Sequence, residues 1–244
     1  MGPVMSVNSS SFSGVKAHID HLVVGAASLE EGVRWCQRTL GITPEPGGSH
    51  ALFGTHNRLL RLKSAGHPLA YLEIIAIDPS ASPTRDSHLA RWFDLDVPTI
   101  RQQLSQQGPQ LLHWVASVPN INASVADWHA MNIDRGVVIE ASRPTPQGLL
   151  QWKITVRDDG QRLMGGALPT LIEWGADHPA RAMGRPALEL RSLSLQHPHA
   201  EPLQSALAAI GLNDIPVAVG PSGLFAELTL SDGSNFCLSH LEKD

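Results

Sequence analysis

Apolar positions along this chain switch repeatedly between two spacings. The stretch "AHIDHLVVG", residues 17 to 25, is a compact apolar run with Ile19, Leu22, Val23 and Val24, and it predicts a buried strand. Leu29, Val33, Cys36 and Leu40 then follow at helical spacing. Ser28 is an N-cap residue, Glu31 three positions on completes a capping box, and Gly41 is placed to end the helix. A Gly-rich connection and strands follow in "PEPGGSHALFGTHNRLLRL", and "LAYLEIIAID" is a strongly apolar strand. The order is one strand, one helix and three strands.

The same order returns. "QLLHWVASV" reads as a strand, "NASVADWHAMNID" as a helix, and "GVVIEAS", "LLQWKITVRD" and "ALPTLIEWG" as strands, with Pro144, Pro146 and Gly148 in the turn between the first two. Trp35 lies 14 residues after His21 and Trp128 lies 15 after His113, which supports a duplicated unit. The expected units span residues 18–79 and 110–175 of a domain covering 18–178. A third, degenerate unit occupies 185–244, with "ALELRSLSLQ", "AEPLQSALAAIG", "IPVAVG", "LFAELTLSD" and "NFCLSH" in strand, helix, strand, strand, strand order. Residues 80–109 form an insertion with two expected short helices, 86–94 and 98–107, the latter opened by Pro98 and closed by Gly108. Residues 1–17 are expected to be disordered.

Composition narrows the function classes. The chain is 42% apolar and 17% charged, as a globular protein is, and its formal net charge of −5 leaves no basic footprint for nucleic acid. No apolar run approaches the roughly 18–20 residues that span a bilayer. Cys36 and Cys237 build no disulfide framework and are expected to be buried thiols. The first residues lack a secretory pattern; Gly2 with Ser6 matches a bare myristoylation pattern that Pro3 opposes. A cytoplasmic protein is the expectation, and a homodimer is an assembly it allows. No nucleophile elbow or phosphate loop is present.

Each of the first two units carries one polar residue inside its first strand and one inside its last: His21 and Glu73, then His113 and Glu173. Side chains alternate faces along a strand, so each unit can present a His–Glu pair on one face. A buried carboxylate without a cation is strongly disfavoured, whereas two with two imidazoles suit a divalent transition metal. Salt-bridged or solvent-facing pairs are the alternative, since a single His or Glu in a strand is more often hydrogen-bonded or edge-exposed than a ligand. His50, His56 and Asn57 stand near the start of a strand, and Trp152 in a later one; substrate contact and an ordinary polar turn both account for the first three. Arg58, Arg61, Lys153 and Arg157 are candidate anion holders or solvated surface groups. His129, His197 and His199 need no function.

The stretches "IDHLVVGAASLEEGVRWCQRTLG", "GGSHALFGTHNRLLRL" and "YLEIIAIDP" resemble the glyoxalase-like domain proteins of the vicinal oxygen chelate superfamily. The resemblance implies an α+β fold: tandem βαβββ units forming a curled, cup-shaped mixed sheet with helices outside. It also implies one divalent metal ion (Zn, Ni, Co, Mn or Fe) held by His21, Glu73, His113 and Glu173. Similarity to glyoxalase I implies a metal-bound carboxylate, Glu173 ahead of Glu73, as catalytic base. The implied function is a metal-dependent lyase or isomerase acting on a small oxygenated carbonyl compound through an enediolate. The rival is a non-catalytic small-molecule binding protein with the same cup, to which Trp114, Trp152 and Trp174 lend apolar walls. The third unit has Ser192 where His21 and His113 stand and is expected to hold no metal.

Overall fold

A computed structural model describes residues 16–241. The expectations for residues 1–15 lie outside the described residues; Ala17 is already buried where the first strand begins. That strand, β1 (His18–Gly25), is followed by α1 (Leu29–Leu40), β2 (Glu45–His50), β3 (Thr55–Lys63) and β4 (Tyr71–Ile77). After the insertion, which contributes α2 (Pro98–Gln107), come β5 (Gln110–Ser117), α3 (Ile121–Ala130), β6 (Val137–Thr145), β7 (Gly148–Val156) and β8 (Thr170–Trp174). The last elements are β9 (Leu188–His197), α4 (Ala200–Ala209), β10 (Val217–Val219), β11 (Gly223–Thr229) and β12 (Asn235–Leu241). The class is α+β, with all strands in one curled mixed sheet.

The strand order is β12-β11-β9-β3-β4-β1-β5-β8-β7-β6, with β2 on β3 and β10 on β9. Within each of the first two units the first strand runs parallel to the last, β1 to β4 and β5 to β8. The units meet through antiparallel β1 and β5, with Ile19 opposite Ala116, His21 opposite Val115 and Val23 opposite His113. Two bulges interrupt that ladder. Asp20 is the extra residue of one, between Ile19 and His21, and Leu112 of the other. The third unit keeps the element order but not the pairing: β9 is parallel to β10 and antiparallel to β11, so its first strand does not meet its last. It extends the sheet through a short parallel contact, Leu62 with Leu188 and Lys63 with Glu189.

The helices follow from local chemistry. Ser28 Oγ accepts from Glu31 N–H at 3.2 Å to cap α1, and Gly41 closes it with φ 72°, a left-handed turn that glycine adopts without steric cost. Gly32, Cys36 and Leu40 are its buried side. α1, α3 and α4 pack on one face of the sheet over Ile19, Leu22, Val24 and Trp114. Trp128 of α3 is fully buried and donates to the Ala206 carbonyl of α4 at 2.7 Å, tying the second unit to the third. The opposite face holds a second cluster: Val23, Phe53, Ile75, Val115, Trp152, Ile154 and Ile172, with Ile100 and Leu104 of α2.

The insertion departs from expectation. Residues 86–94 form turns, not a helix, because Trp92 and Phe93 are drawn into the inner cluster and Phe93 and Asp94 adopt φ 59°. Cys36 is buried as expected, but Cys237 is exposed, because its position on β12 alternates with the buried Leu238.

A side chain at Gly32 would overlap Ile74, whose own side chain is fully buried on β4. Gly32→Val is therefore expected to destabilise the protein by about 1–3 kcal/mol through overpacking, read as a lower urea midpoint with an unchanged slope.

Candidate active site

The inner face of β1, β3 and β4 gathers a chain of buried polar groups. Asp20, fully buried at its bulge, accepts from His21 Nδ1 at 2.7 Å, from Trp174 Nε1 at 2.7 Å and from His178 Nε2 at 3.1 Å. Burial pushes the Asp20 carboxyl up, but hydrogen bonds from His178 and His21 outweigh it and hold the group well below the usual carboxylate range. An ionised carboxylate only accepts, so His21 carries a proton on Nδ1, and its Nε2 faces inward. There it stands 3.6 Å from Glu73 Oε2. The other Glu73 oxygen accepts from Asn57 Nδ2 at 2.6 Å. Asn57 also takes the Gly48 N–H on its own oxygen at 2.8 Å and reaches His50 Nε2 at 3.4 Å. Burial, then the charge of Arg143, pushes His50 down to about 3, so it is the neutral acceptor of that contact. Tyr71 stacks on His21 with ring centres 4.5 Å apart.

His21 and Glu73 open on a chamber of about 30 Å³, roughly one water's share of liquid volume. Its walls include His50, Asn57, Tyr71, Trp92, Phe93, Trp152 and Trp174. Trp92 carries a buried indole N–H with no partner among the described residues. Outside lies a cleft of about 420 Å³, lined by the Pro46–Gly47 stretch, the β6–β7 turn, His178, Arg181 and Met183. Leu59, Arg143, Leu150 and Pro179 line both spaces and mark the junction.

The structure does not gather the four expected metal ligands. His113 is fully buried, but both its ring nitrogens are engaged elsewhere: Nδ1 donates to the Gly166 carbonyl at 3.0 Å and Nε2 accepts from the Thr170 N–H at 3.1 Å. Burial and Arg135, which also bonds Thr170, push His113 far below its usual range. Phe93, which lines the chamber, also stands 5.4 Å from His113, so the insertion occupies the second unit's half of the cup. Glu173 lies on the other face of β8 from Ile172 and Trp174; it accepts from the Ile121 N–H at the start of α3 at 2.8 Å and pairs with Lys153 at 3.1 Å. His56 points away from Asn57 towards Asp78, 3.8 Å away. His50, Asn57 and Trp152 line the chamber with His21 and Glu73.

Members of the superfamily often use a divalent metal, and its fit can be tested on the donors. Ligand atoms lie about 2.0–2.2 Å from a bound metal, so the 3.6 Å between His21 Nε2 and Glu73 Oε2 matches two places of a shell. A catalytic site normally has three protein ligands. Among the described residues no three His, Cys, Asp or Glu side chains converge to hold a metal. The four-ligand shell does not fit this chain.

Sequence reasoning missed Asp20, Trp92 and Arg143. Only the alternation along β6, where Ile139 and Ala141 pack inward two residues apart, offered a signal for Arg143.

Two βαβββ units joined at their first strands over a polar chamber define the double-unit cup of the vicinal oxygen chelate fold. The sequence pattern of the glyoxalase-like domain matches residues 19–211, and the chain belongs to that family. A hypothetical protein from Staphylococcus aureus is similar in structure over 91% of this chain and 85% of its own, with a TM-score of 0.56 at 14% identity. A Streptomyces coelicolor methylmalonyl-CoA epimerase in complex with 2-nitronate-propionyl-CoA matches 65% of this chain and 97% of its own, at 17% identity and a TM-score of 0.40. Methylmalonyl-CoA epimerase from Mycobacterium tuberculosis matches 68% and 91%, at 15% identity and 0.37. At these identities a likeness speaks for the fold alone. No curated protein matches the chain. Among the described residues no helix is long and apolar enough to cross a membrane.

Two measurements probe the buried network. Asp20→Ala leaves His21, His178 and Trp174 without their common acceptor and is expected to cost about 3–5 kcal/mol, read by denaturant unfolding. The second is pH. His113, His50 at about 3 and His240 at about 4 are pushed down by burial and stay neutral when folded. The unfolded chain protonates them below about pH 6.5, so it binds more protons there and stability is lost as the pH is lowered. Asp20, depressed when folded, contributes stability above about pH 4 that is lost as pH falls towards its folded value. The melting temperature should decline from about pH 6.5 downward and more steeply below about 4; a flat profile between pH 7 and 5 would contradict the neutral buried histidines.

Proposed function

We propose that the chain is an isomerase- or lyase-type enzyme that removes a proton beside the carbonyl of a small oxygenated compound. One observation carries the reading: His21 Nε2 and Glu73 Oε2, both acceptors, face each other across 3.6 Å at the base of a cleft. Each is fixed from behind by a buried partner, Asp20 or Asn57. Two lone pairs in that position require a proton or a donor between them. Glu73 is the base: it takes the proton from the carbon next to the carbonyl, the C–H electron pair becomes the C=C bond of the enolate, and the carbonyl π pair moves onto the oxygen. Trp92, whose buried indole N–H has no partner among the described residues, lines the same chamber. His21, its orientation held by Asp20, shares the proton with Glu73 and returns it to the substrate.

A binding protein with no turnover is the second reading, favoured by Trp92, Trp152 and Trp174 around the chamber. Exchange of substrate carbon-bound protons into deuterated water, followed by NMR over a panel of small 2-oxo and 2-hydroxycarbonyl compounds, separates the two. The enzyme exchanges at least one of them. Glu73→Gln keeps the Asn57 contact but is a far poorer base, and should slow exchange by about a hundredfold or more. Ligand binding without exchange, or full exchange in Glu73→Gln, would overturn the assignment. Bound metal per chain, measured alongside, tests the ligand geometry independently of turnover.

A further inference from the structure

We propose that Arg143 anchors an anionic group of the ligand, and that the ligand class is a small carboxylic acid whose carboxylate adjoins the reacting carbonyl. The inference rests on the proton chemistry assigned to His21 and Glu73 and specifies its substrate.

Arg143 lies near the end of β6 and lines both the chamber and the cleft. The backbone is shaped to admit it. A side chain at Gly48 of β2 would overlap the Arg143 guanidinium, so "EPGGSH" leaves the space that the cation fills. Yet no carboxylate among the described residues pairs with Arg143, whereas Arg157, Arg162 and Lys153 each have an acidic partner. The two acids along the cleft are not its partners either: Glu45 accepts the Gly184 N–H at 2.9 Å, and Asp177 is exposed. The charge is felt inside the site, where it helps push His50 down and opposes the upward push on Tyr71.

A half-buried guanidinium at the junction of two cavities presents a planar fork suited to a carboxylate, which it can bind through two parallel hydrogen bonds. The chamber, at about 30 Å³, admits only the reacting end of a ligand, and the cleft, at about 420 Å³, holds the rest. A carboxylate one bond from the carbonyl rests on Arg143 while the carbonyl oxygen enters the chamber. Leu59, Leu150, Pro179 and Met183 offer apolar contact to a short tail.

The probes are 4-methyl-2-oxopentanoate and its methyl ester, titrated into the full chain and followed by tryptophan fluorescence, since three of the six tryptophans line the chamber. The acid should bind at least about tenfold more tightly than the ester, in keeping with a charge-assisted bidentate pair. Arg143→Ala should bring the acid down to the affinity of the ester and leave the ester unchanged. Arg143→Lys, which keeps the charge but loses the fork, should fall between. Equal affinity for acid and ester in the parent protein, an undiminished preference in Arg143→Ala, or binding of neither probe at millimolar concentration would overturn the anchor. Proton exchange on the same two probes keeps the underlying reading separate. Selective binding of the acid without exchange upholds the anchor and removes the chemistry. Exchange of the ester as fast as the acid removes the anchor and leaves the chemistry in place.

Discussion

A carboxylate taken out of water costs several kcal/mol unless donors replace its hydration. Asp20 is fully buried, and the structure answers that demand with three donors from three places: His21 on β1 itself, Trp174 on β8 and His178 beyond it. The bulge at Asp20 makes this arrangement possible. An unpaired residue in the β1–β5 ladder is free to turn its side chain towards neighbours that a regular strand would alternate away from. Because β1 belongs to the first unit and β8 to the second, the carboxylate joins the two halves of the cup at the same point where it fixes the tautomer of His21. Stability and the orientation of the inward-facing Nε2 thus depend on one group.

The two units share a strand order, but their polar residues have separate fates. His21 retains a free nitrogen facing a cavity, whereas the matching His113 is closed off by Gly166, Thr170 and Phe93. The insertion between the units decides this. Trp92 and Phe93 gain burial by entering the inner cluster, and they fill the half of the cup that the second unit would otherwise expose. Glu173 instead satisfies a backbone N–H in the first turn of α3, where a negative charge also meets the favourable end of the helix dipole. One unit consequently supplies the His–Glu pair that faces the chamber, and the other contributes Trp152 and Trp174 to its walls.

How much of this was legible in the sequence depends on the range of the interaction involved. Local signals were readable: the Ser28–Glu31 cap, Gly41, the apolar runs of β1 and β4, and the fivefold element order of each unit are written in adjacent residues. Likewise His21 and Glu73 followed from strand alternation, and His50 and Asn57 from their place near a strand start; with Trp152 they line one chamber, whereas His56, named beside them, turns to Asp78. The fates of His113 and Glu173 did not follow: His113 keeps the inner face with Val115 but spends both nitrogens on Gly166 and Thr170, and Glu173 falls on the other face of β8 from Ile172. The bulge at Leu112 and the burial of Phe93 are tertiary outcomes without a local pattern. Residues 86–94 misled for the same reason: burial of two aromatic rings overrode helix propensity.

The third unit shows how much the pairing of strands, rather than their order, determines a site. In the first unit the parallel contact between first and last strands sets Glu73 opposite Val23 of β1, whereas in the second the register with β5 ends at Ile172, one residue short of Glu173. In the third, β11 takes the place next to β9, and the strand carrying Glu227 is antiparallel to it, with Glu227 opposite Ser192. The same sequence order therefore presents no His–Glu pair to a common cavity, and Glu227 is left exposed on β11. What the unit contributes is the outer-face core of Leu203, Leu207, Leu224 and Leu228, sealed against the helices of the other two units. It meets β3 only at Leu62 and Lys63, whereas around Asn57 it is β2 that flanks β3, and β4 lies between β3 and β1; the strands that carry Asn57 and Glu73 are thus paired on both sides at the site and less free to fray than an edge.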